Sequence, residues 1–250
     1  MPGQDSILGL ASSFDPSATS YTMQTEITSN PNMITNMIDL QMNALKTYWK
    51  ITKEKPKAII FFRTAVNEHQ MQQTLGFEYR AIKSACRMLE QDYEPKITYI
   101  MATKKHATRL CATDKRFQIG KSQNVPAGTV VDTAIVDRSR FDFYLQSSQG
   151  IQGKTILSCS IEIRILFSGT SIPTKYTVCQ DENKLSADSV QGLCYYLCHG
   201  YVRCNRTVSR PNCLMYAKLA TDRARAYMKA AGNYIHNYRQ VTKKIPEKID

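Results

Sequence analysis

An α/β fold, with a β-sheet covered by helices on both faces, is what this 250-residue sequence predicts. Strand-like runs alternate with segments of helical period, the order of a layered α/β domain. The apolar run "KAIIFFRTA" is also short enough to be a strand buried on both faces.

Taken in order, "SILGLASSF" and "YTMQTEI" read as two strands joined by the turn-rich "DPSATS". A helix follows from about residue 32 to 52, with Ile34, Met37, Ile38, Leu45 and Tyr48 as its apolar stripe. After the apolar run, a second helix spans about 68–91 on Met71, Leu75, Tyr79, Ile82, Cys86 and Leu89, and "KITYIMATK" is the next strand. The middle is richer in β: "GTVVDTAIV", "FDFYLQSS" and "TKYTVCQD" are short strands between polar turns. Ser186 suits an N-cap, with Asp188 in the first turn, for a helix whose apolar face holds Val190, Leu193, Cys194, Leu197, Cys198 and Tyr201. A last helix is expected over about 212–232.

With 42% apolar residues the chain can bury a sizeable core. No apolar stretch reaches the roughly 18 residues of a membrane helix, and the first residues lack the basic flank of a signal peptide. The expected place is the cytoplasm or the nucleus, without membrane contact. There the eight cysteines stay mostly as thiols, and "NRT" at Asn205 carries no glycan. The net charge of +12 and pI near 9.3 favour a polyphosphate partner. Between residues 203 and 229 seven cations, Arg203, Arg206, Arg210, Lys218, Arg223, Arg225 and Lys229, face the single acid Asp222. Such clustering points to nucleic acid.

"SSQGIQGKT", residues 147–155, imitates a phosphate-binding loop without meeting its requirements. Ser148 stands where the first glycine must turn backbone N–H groups inward, and the β-branched run that follows is no helix start. Nucleotide hydrolysis is therefore not expected.

Six phrases in series resemble the PIWI domain of eukaryotic Argonaute proteins: "SSFDPSATSYTMQTEI", "KKHATRLCATDK", "NVPAGTVVDTAIV", "FDFYLQSSQGIQG", "LCHGYVRCNRTVS" and "YAKLATDRARAY". The resemblance runs from about residue 6 to 227 and implies one domain with a ribonuclease-H-like mixed β-sheet flanked by helices. It implies a small guide RNA and its paired target RNA as partners, with silencing-complex proteins as further candidates. In the family "GIQG" passes directly into "TS-x-P-x-x-Y"; here sixteen residues, 154–169, intervene. They read as a translated intron or as a surface loop. Residues 228–250 form an atypical basic tail.

Family members that cut RNA seat two Mg²⁺ ions on Asp, Glu, Asp and a fourth Asp or His. The resemblance puts the first Asp on a strand before Met1, so that a sheet edge would be exposed. It puts Asn32 at the Glu position, Thr64 at the second Asp and Lys218 at the fourth. Mg²⁺ requires hard oxygen anions. Each missing carboxylate forfeits roughly 4 kcal/mol or more at 4 Å and an effective dielectric of 20, and Lys218 adds repulsion. The expectation is a chain that is no enzyme, with no metal and no cofactor. A displaced acid set at Asp132, Asp137 and Asp142 is the rival reading, a Mg²⁺-dependent endonuclease. Cys194, Cys198, His199 and Cys204 resemble zinc ligands only superficially, since the first two share the apolar face of a helix.

By resemblance, Lys104, Lys105 and Arg109 contact the guide backbone, as do Arg203, Arg206 and Ser209, while Arg223 helps hold the guide's 5′ phosphate. Cations on phosphates give affinity without reading bases, so base pairing by the guide carries specificity. Ile172, Ala107 and Ser148 replace cations or histidines of the family, and Met215 replaces a tyrosine. The function expected is RNA binding in small-RNA-guided silencing without cleavage. A protein-interaction decoy or a pseudogene product remains the alternative to both RNA readings.

Overall fold

The computed structural model describes residues 6–28, 36–64, 66–120, 123–137, 139–149 and 171–230. The first hairpin pairs β1 (Ser6–Ser13) antiparallel to β2 (Tyr21–Thr28). Its turn is fixed by Asp15, whose carboxylate accepts the N–H groups of Thr19 at 3.1 Å and Ser20 at 2.9 Å. Helix α1 (Met37–Thr52) then ends at Lys53, which takes the left-handed conformation with φ of 59°.

β3 (Ala58–Thr64) leads into α2 (Glu68–Leu89), and β4 (Lys96–Thr103) returns parallel to β3. A short 3-10 turn, Lys115–Phe117, precedes β5 (Thr129–Val131), β6 (Phe141–Gln146) and β7 (Thr174–Asp181). Helices α3 (Ala187–Leu197) and α4 (Asn212–Ala230) complete the order. Ser186 is the N-cap of α3, accepting the Ser189 N–H at 3.2 Å. The larger sheet runs β3-β4-β7-β6-β5, parallel at β3/β4 and antiparallel at every other junction, so it is mixed. β1 and β2 form a separate two-stranded sheet among the described residues.

β4 is the spine because its alternating side chains serve two cores. Ile97, Tyr99 and Met101 pack with Met37, Leu40 and Ile82 from α1 and α2. Ile100 and Ala102 face the other way, joining Phe143 and Tyr176 with Val190 and Cys194 of α3 and Leu214 of α4. Helices thus cover both faces of a mixed sheet.

Two expectations require correction. "GTVVDTAIV" pairs only over Thr129–Val131; the chain then bends away, and Ile135 is left 49% exposed. The "KAIIFFRTA" strand is not buried on both faces: Phe61 is, but Ala58 and Thr64 are exposed and Ile60 is 39% exposed. The physical reason is position, since among the described residues β3 has β4 as a strand partner on one side and borders a cleft on the other.

α4 crosses β1 at Gly9, where an added Cβ would lie 2.3 Å from the Ala217 carbonyl oxygen and 2.6 Å from the Thr221 hydroxyl. A backbone carbonyl cannot rotate aside. Gly9→Ala is expected to cost about 1–3 kcal/mol. Gly76, inside α2 with open space at its Cβ position, is the contrast: Gly76→Ala is expected to gain about 0.5–1 kcal/mol. Urea midpoints of the two variants check both signs.

Candidate nucleic-acid interface

Three loops meet at one end of the larger sheet because of how its strands are paired. Thr103, the last residue of β4, lies opposite Lys175 at the start of β7, so the segment after β4 emerges beside Pro173 and Thr174. The segment between α3 and α4 is drawn to the same place. The Ser147 hydroxyl donates to the Val208 carbonyl at 2.8 Å, the Thr174 hydroxyl donates to the Ser209 carbonyl, and the Val208 N–H reaches the Cys198 carbonyl at 2.9 Å. Asn212 anchors the far side: its carboxamide donates to the Gly200 carbonyl at 3.3 Å and accepts from the Tyr21 hydroxyl at 2.8 Å.

This packing sets Lys104 against Arg210 and Arg109. Burial, then the charge of Arg210 and that of Arg109, push the Lys104 ammonium down to about 8. Among the described residues the Arg109 guanidinium donates only to the carbonyls of Thr108 at 2.9 Å and His106 at 3.4 Å, and the buried Arg210 Nε has no partner. No described carboxylate forms an ion pair with any of these three cations. Asp142 of β6 is committed to Lys175 at 2.9 Å.

His106 completes the cluster. Its Nε2 lies 3.0 Å from the Pro173 carbonyl, its ring meets Tyr144 edge-on, and its Nδ1 is buried without a partner. Burial, together with Arg109, Lys104 and Lys175, lowers its pKa, which favours the neutral ring. Like charges held close without counter-ions are costly unless an anion is to be received; fixed by the scaffold, they form an anion site.

Of the residues singled out from sequence, Lys104, Lys105, Arg109 and Ser209 gather at this end of the sheet. Lys105 is exposed, and its N–H is held by the Thr103 hydroxyl at 3.0 Å. Arg203 and Arg206 project from the exposed part of the α3–α4 segment, which is tied back where the Val202 N–H meets the Tyr216 hydroxyl at 3.1 Å. Arg223 is exposed on α4, roughly 16 Å along the helix axis from Asn212, and does not join the cluster. Arg210 was missed as a site residue. Its membership in the basic run was visible, but only the Ser147 and Thr174 hydrogen bonds bring its segment to Lys104.

Thr64 and Lys218 line one cleft between β1, β3 and α4; Asn32 lies outside the described residues. The acids of that cleft are otherwise engaged, Asp15 in its own turn and Asp222 with Arg225 at 3.4 Å. Asp132, Asp137 and Asp142 do not converge: Asp132 accepts from Gln191 at 2.9 Å, Asp137 holds Ser139, and Asp142 is buried against Lys175. Among the described residues no three His, Cys, Asp or Glu side chains come together as metal ligands do. Cys194 and Cys198 are buried, and burial raises both thiols. The segment 154–169 and the tail beyond residue 230 lie outside the described residues. No described helix is long and apolar enough to cross a membrane.

A family model described as the Piwi domain matches residues 2–229. The fold is similar to the C-terminal lobe of a budding yeast Argonaute, at TM-score 0.78 and 28% identity over 92% of this chain and 45% of that one. It is similar to Kluyveromyces polysporus Argonaute, solved with a guide RNA, at TM-score 0.76 and 28% identity over 92% of this chain and 26% of that one. It is also similar to Drosophila Piwi, at TM-score 0.62 and 25% identity over 88% and 30%. The chain thus spans less than half the length of these solved chains.

Proposed function

The chain belongs to the Piwi-domain family, and from that premise we propose that it grips the sugar-phosphate backbone of a small guide RNA, and of target paired with it, without cleaving either strand. Its role is in small-RNA-guided silencing, as an RNA-holding module and not as a nuclease. The observation that carries the reading is the Lys104–Arg109–Arg210 cluster, three scaffolded cations with no described carboxylate partner. Guide RNA is present in the similar Kluyveromyces polysporus structure. Lack of cleavage is supported by Thr64 and Lys218, which stand where the family's RNA-cutting members are expected to carry metal-binding side chains.

The test is equilibrium binding of a labelled single-stranded RNA across a salt series. Affinity is expected to fall on a log–log plot with a slope of about −0.7 per phosphate contacted. A slope near zero would refute a phosphate-gripping role.

Lys104 supplies a sharper prediction. Its pKa near 8 means that the charge is present at neutral pH and is lost as pH rises through that value. RNA affinity is therefore expected to drop between about pH 7.5 and 9, and Lys104→Arg, which stays charged, is expected to abolish that drop. Stability moves the other way. A lysine whose folded pKa is depressed makes the unfolded chain the better proton binder between about 8 and its ordinary value near 10.4, so stability rises with pH there. Lys104→Met is accordingly expected to stabilise the free protein by on the order of 1 kcal/mol while weakening RNA binding. Thermal melts and binding isotherms on one sample check both directions.

A further inference from the structure

Between Arg109 and β5 the chain makes an excursion that closes on itself. Cys111 and Ile119 both bridge to Asn124, the Ala112 N–H reaches the Gln123 carbonyl at 2.9 Å, and the Gln118 carboxamide donates to the Ala112 carbonyl at 2.9 Å. The base of this loop is tied to the anion site. Asn124 Oδ1 accepts the Ser171 N–H at 2.9 Å, and Ser171 stands two residues before Pro173, whose carbonyl lies 3.0 Å from His106 Nε2. Arg109 precedes Cys111 by two residues and Phe117 precedes Ile119 by two, so each is within about 7 Å of chain from a residue bridged to Asn124.

At the tip of the loop the 3-10 turn Lys115–Phe117 presents three exposed side chains. Asp114 holds that turn: its Oδ1 accepts the Arg116 N–H at 2.9 Å, its Oδ2 accepts from the Arg116 guanidinium at 2.6 Å, and its carbonyl accepts the Phe117 N–H at 3.0 Å. The guanidinium so fixed lies 5.8 Å from the centroid of the Phe117 ring. Phe117 is 56% exposed, belongs to neither apolar core, and meets no other ring among the described residues. Left in water, the ring adds little to the fold. Held on a capped turn, it can receive a flat apolar partner at small further cost in ordering. Arg116 is committed to Asp114, whereas Lys115 has no described ion-pair partner and gives the tip its net positive charge.

We propose, on the premise that the Lys104–Arg109–Arg210 cluster grips RNA, that Phe117 is a stacking platform for one unpaired nucleobase of the bound strand. A base stacked and paired inside a duplex has no free face to offer a loop, so the occupant is unpaired. Stacking reads no hydrogen-bond pattern, because every base has a π-face. The platform therefore accepts any sequence and favours purines, whose rings are larger. The Arg116 guanidinium beside the ring adds cation–π attraction to the stacked base, and Lys115 draws the adjoining phosphate. The cation cluster and the ring then divide the work, the first holding phosphates and the second a base.

The probes are a labelled single-stranded oligoadenylate and an abasic strand of the same length, which keeps every ribose and phosphate but carries no bases. Phe117→Ala in the full chain is expected to weaken oligoadenylate binding about tenfold and to leave abasic binding within about twofold. The salt slope should not change, because no phosphate contact is lost. Phe117→Tyr is expected to bind oligoadenylate as the unaltered chain does, while Phe117→Leu, apolar without a π-face, should lose most of what Phe117→Ala loses. Melting temperatures are expected to stay the same throughout, since the side chain is exposed. Equal binding of oligoadenylate by Phe117→Ala and the unaltered chain, an equal loss on both strands, or full binding by Phe117→Leu overturns the stacking platform while a steep salt slope leaves the phosphate grip standing. RNA binding that ignores salt in the unaltered chain overturns both.

Discussion

Arg109→Glu combined with Arg210→Glu is expected to weaken RNA binding by about 100-fold or more near 0.1 M salt. Each reversal removes a phosphate contact and places an anion beside the polyanion. Two contacts fewer should also flatten the salt dependence by roughly 1.4 units on the single-strand scale. Misfolding would not imitate this result, because the cluster is under self-repulsion in the free protein. Burial lowers the Lys104 pKa most and these two arginines lower it further, to about 8; carboxylates in their place should shift it upward and raise the melting temperature. A variant that melts higher and binds RNA far less well separates the anion site from the scaffold. If the double variant bound RNA as tightly as the unaltered chain, the cluster would not be the grip.

The largest expected effect on stability lies on the other side of the sheet. Glu78 of α2 is fully buried, accepting from the Arg63 Nε at 3.1 and 3.2 Å and from the Tyr99 hydroxyl at 2.6 Å. The Arg63 side chain is only 14% exposed, so water cannot replace it as a partner. Arg63→Met would strand a buried carboxylate with one hydroxyl donor. A cost of about 3–5 kcal/mol is expected, a fall in melting temperature on the order of 10 °C or more. Arg63→Met with Glu78→Met should recover most of the loss, because an apolar pair removes both the charge and its desolvation penalty. Guanidinium unfolding of the two variants reads the difference. A single variant as stable as the parent would mean that the pair contributes little.

Much of the fold was legible because hydrophobic period fixes which elements exist. The strands at β1, β2, β4, β6 and β7 and the helices at α2, α3 and α4 begin within a few residues of where period and caps put them. Tertiary context decided the rest. "GTVVDTAIV" has strand composition throughout, but it pairs with β6 only from Thr129 opposite Gln146 to Val131 opposite Tyr144, and it then turns away although β6 itself continues to Phe141. The run at β3 reads as fully buried from composition alone; no local pattern reveals that one of its edges borders a cleft. Glu78 was equally hidden, a charge within a helical stripe whose partners are fifteen and twenty-one residues away in sequence.

The site divides in the same way. Lys104, Lys105 and Arg109 sit close together in sequence, within a phrase that resembles a known family, and the structure keeps them together. Arg210 is more than a hundred residues distant and joins Lys104 only because Ser147 and Thr174 pin its segment to the strand ends. Arg223 shows the converse: a place in a basic run sets net charge, and helix geometry carries its side chain elsewhere.

The most direct measurement incubates the intact chain with an end-labelled single-stranded RNA at a series of salt concentrations, with Mg²⁺ present throughout, and reads bound fraction and strand length from the same samples. The prediction is binding that weakens steeply as salt increases, with the RNA recovered at full length in every lane. Shortened RNA that depends on Mg²⁺, or binding that ignores salt, would contradict it.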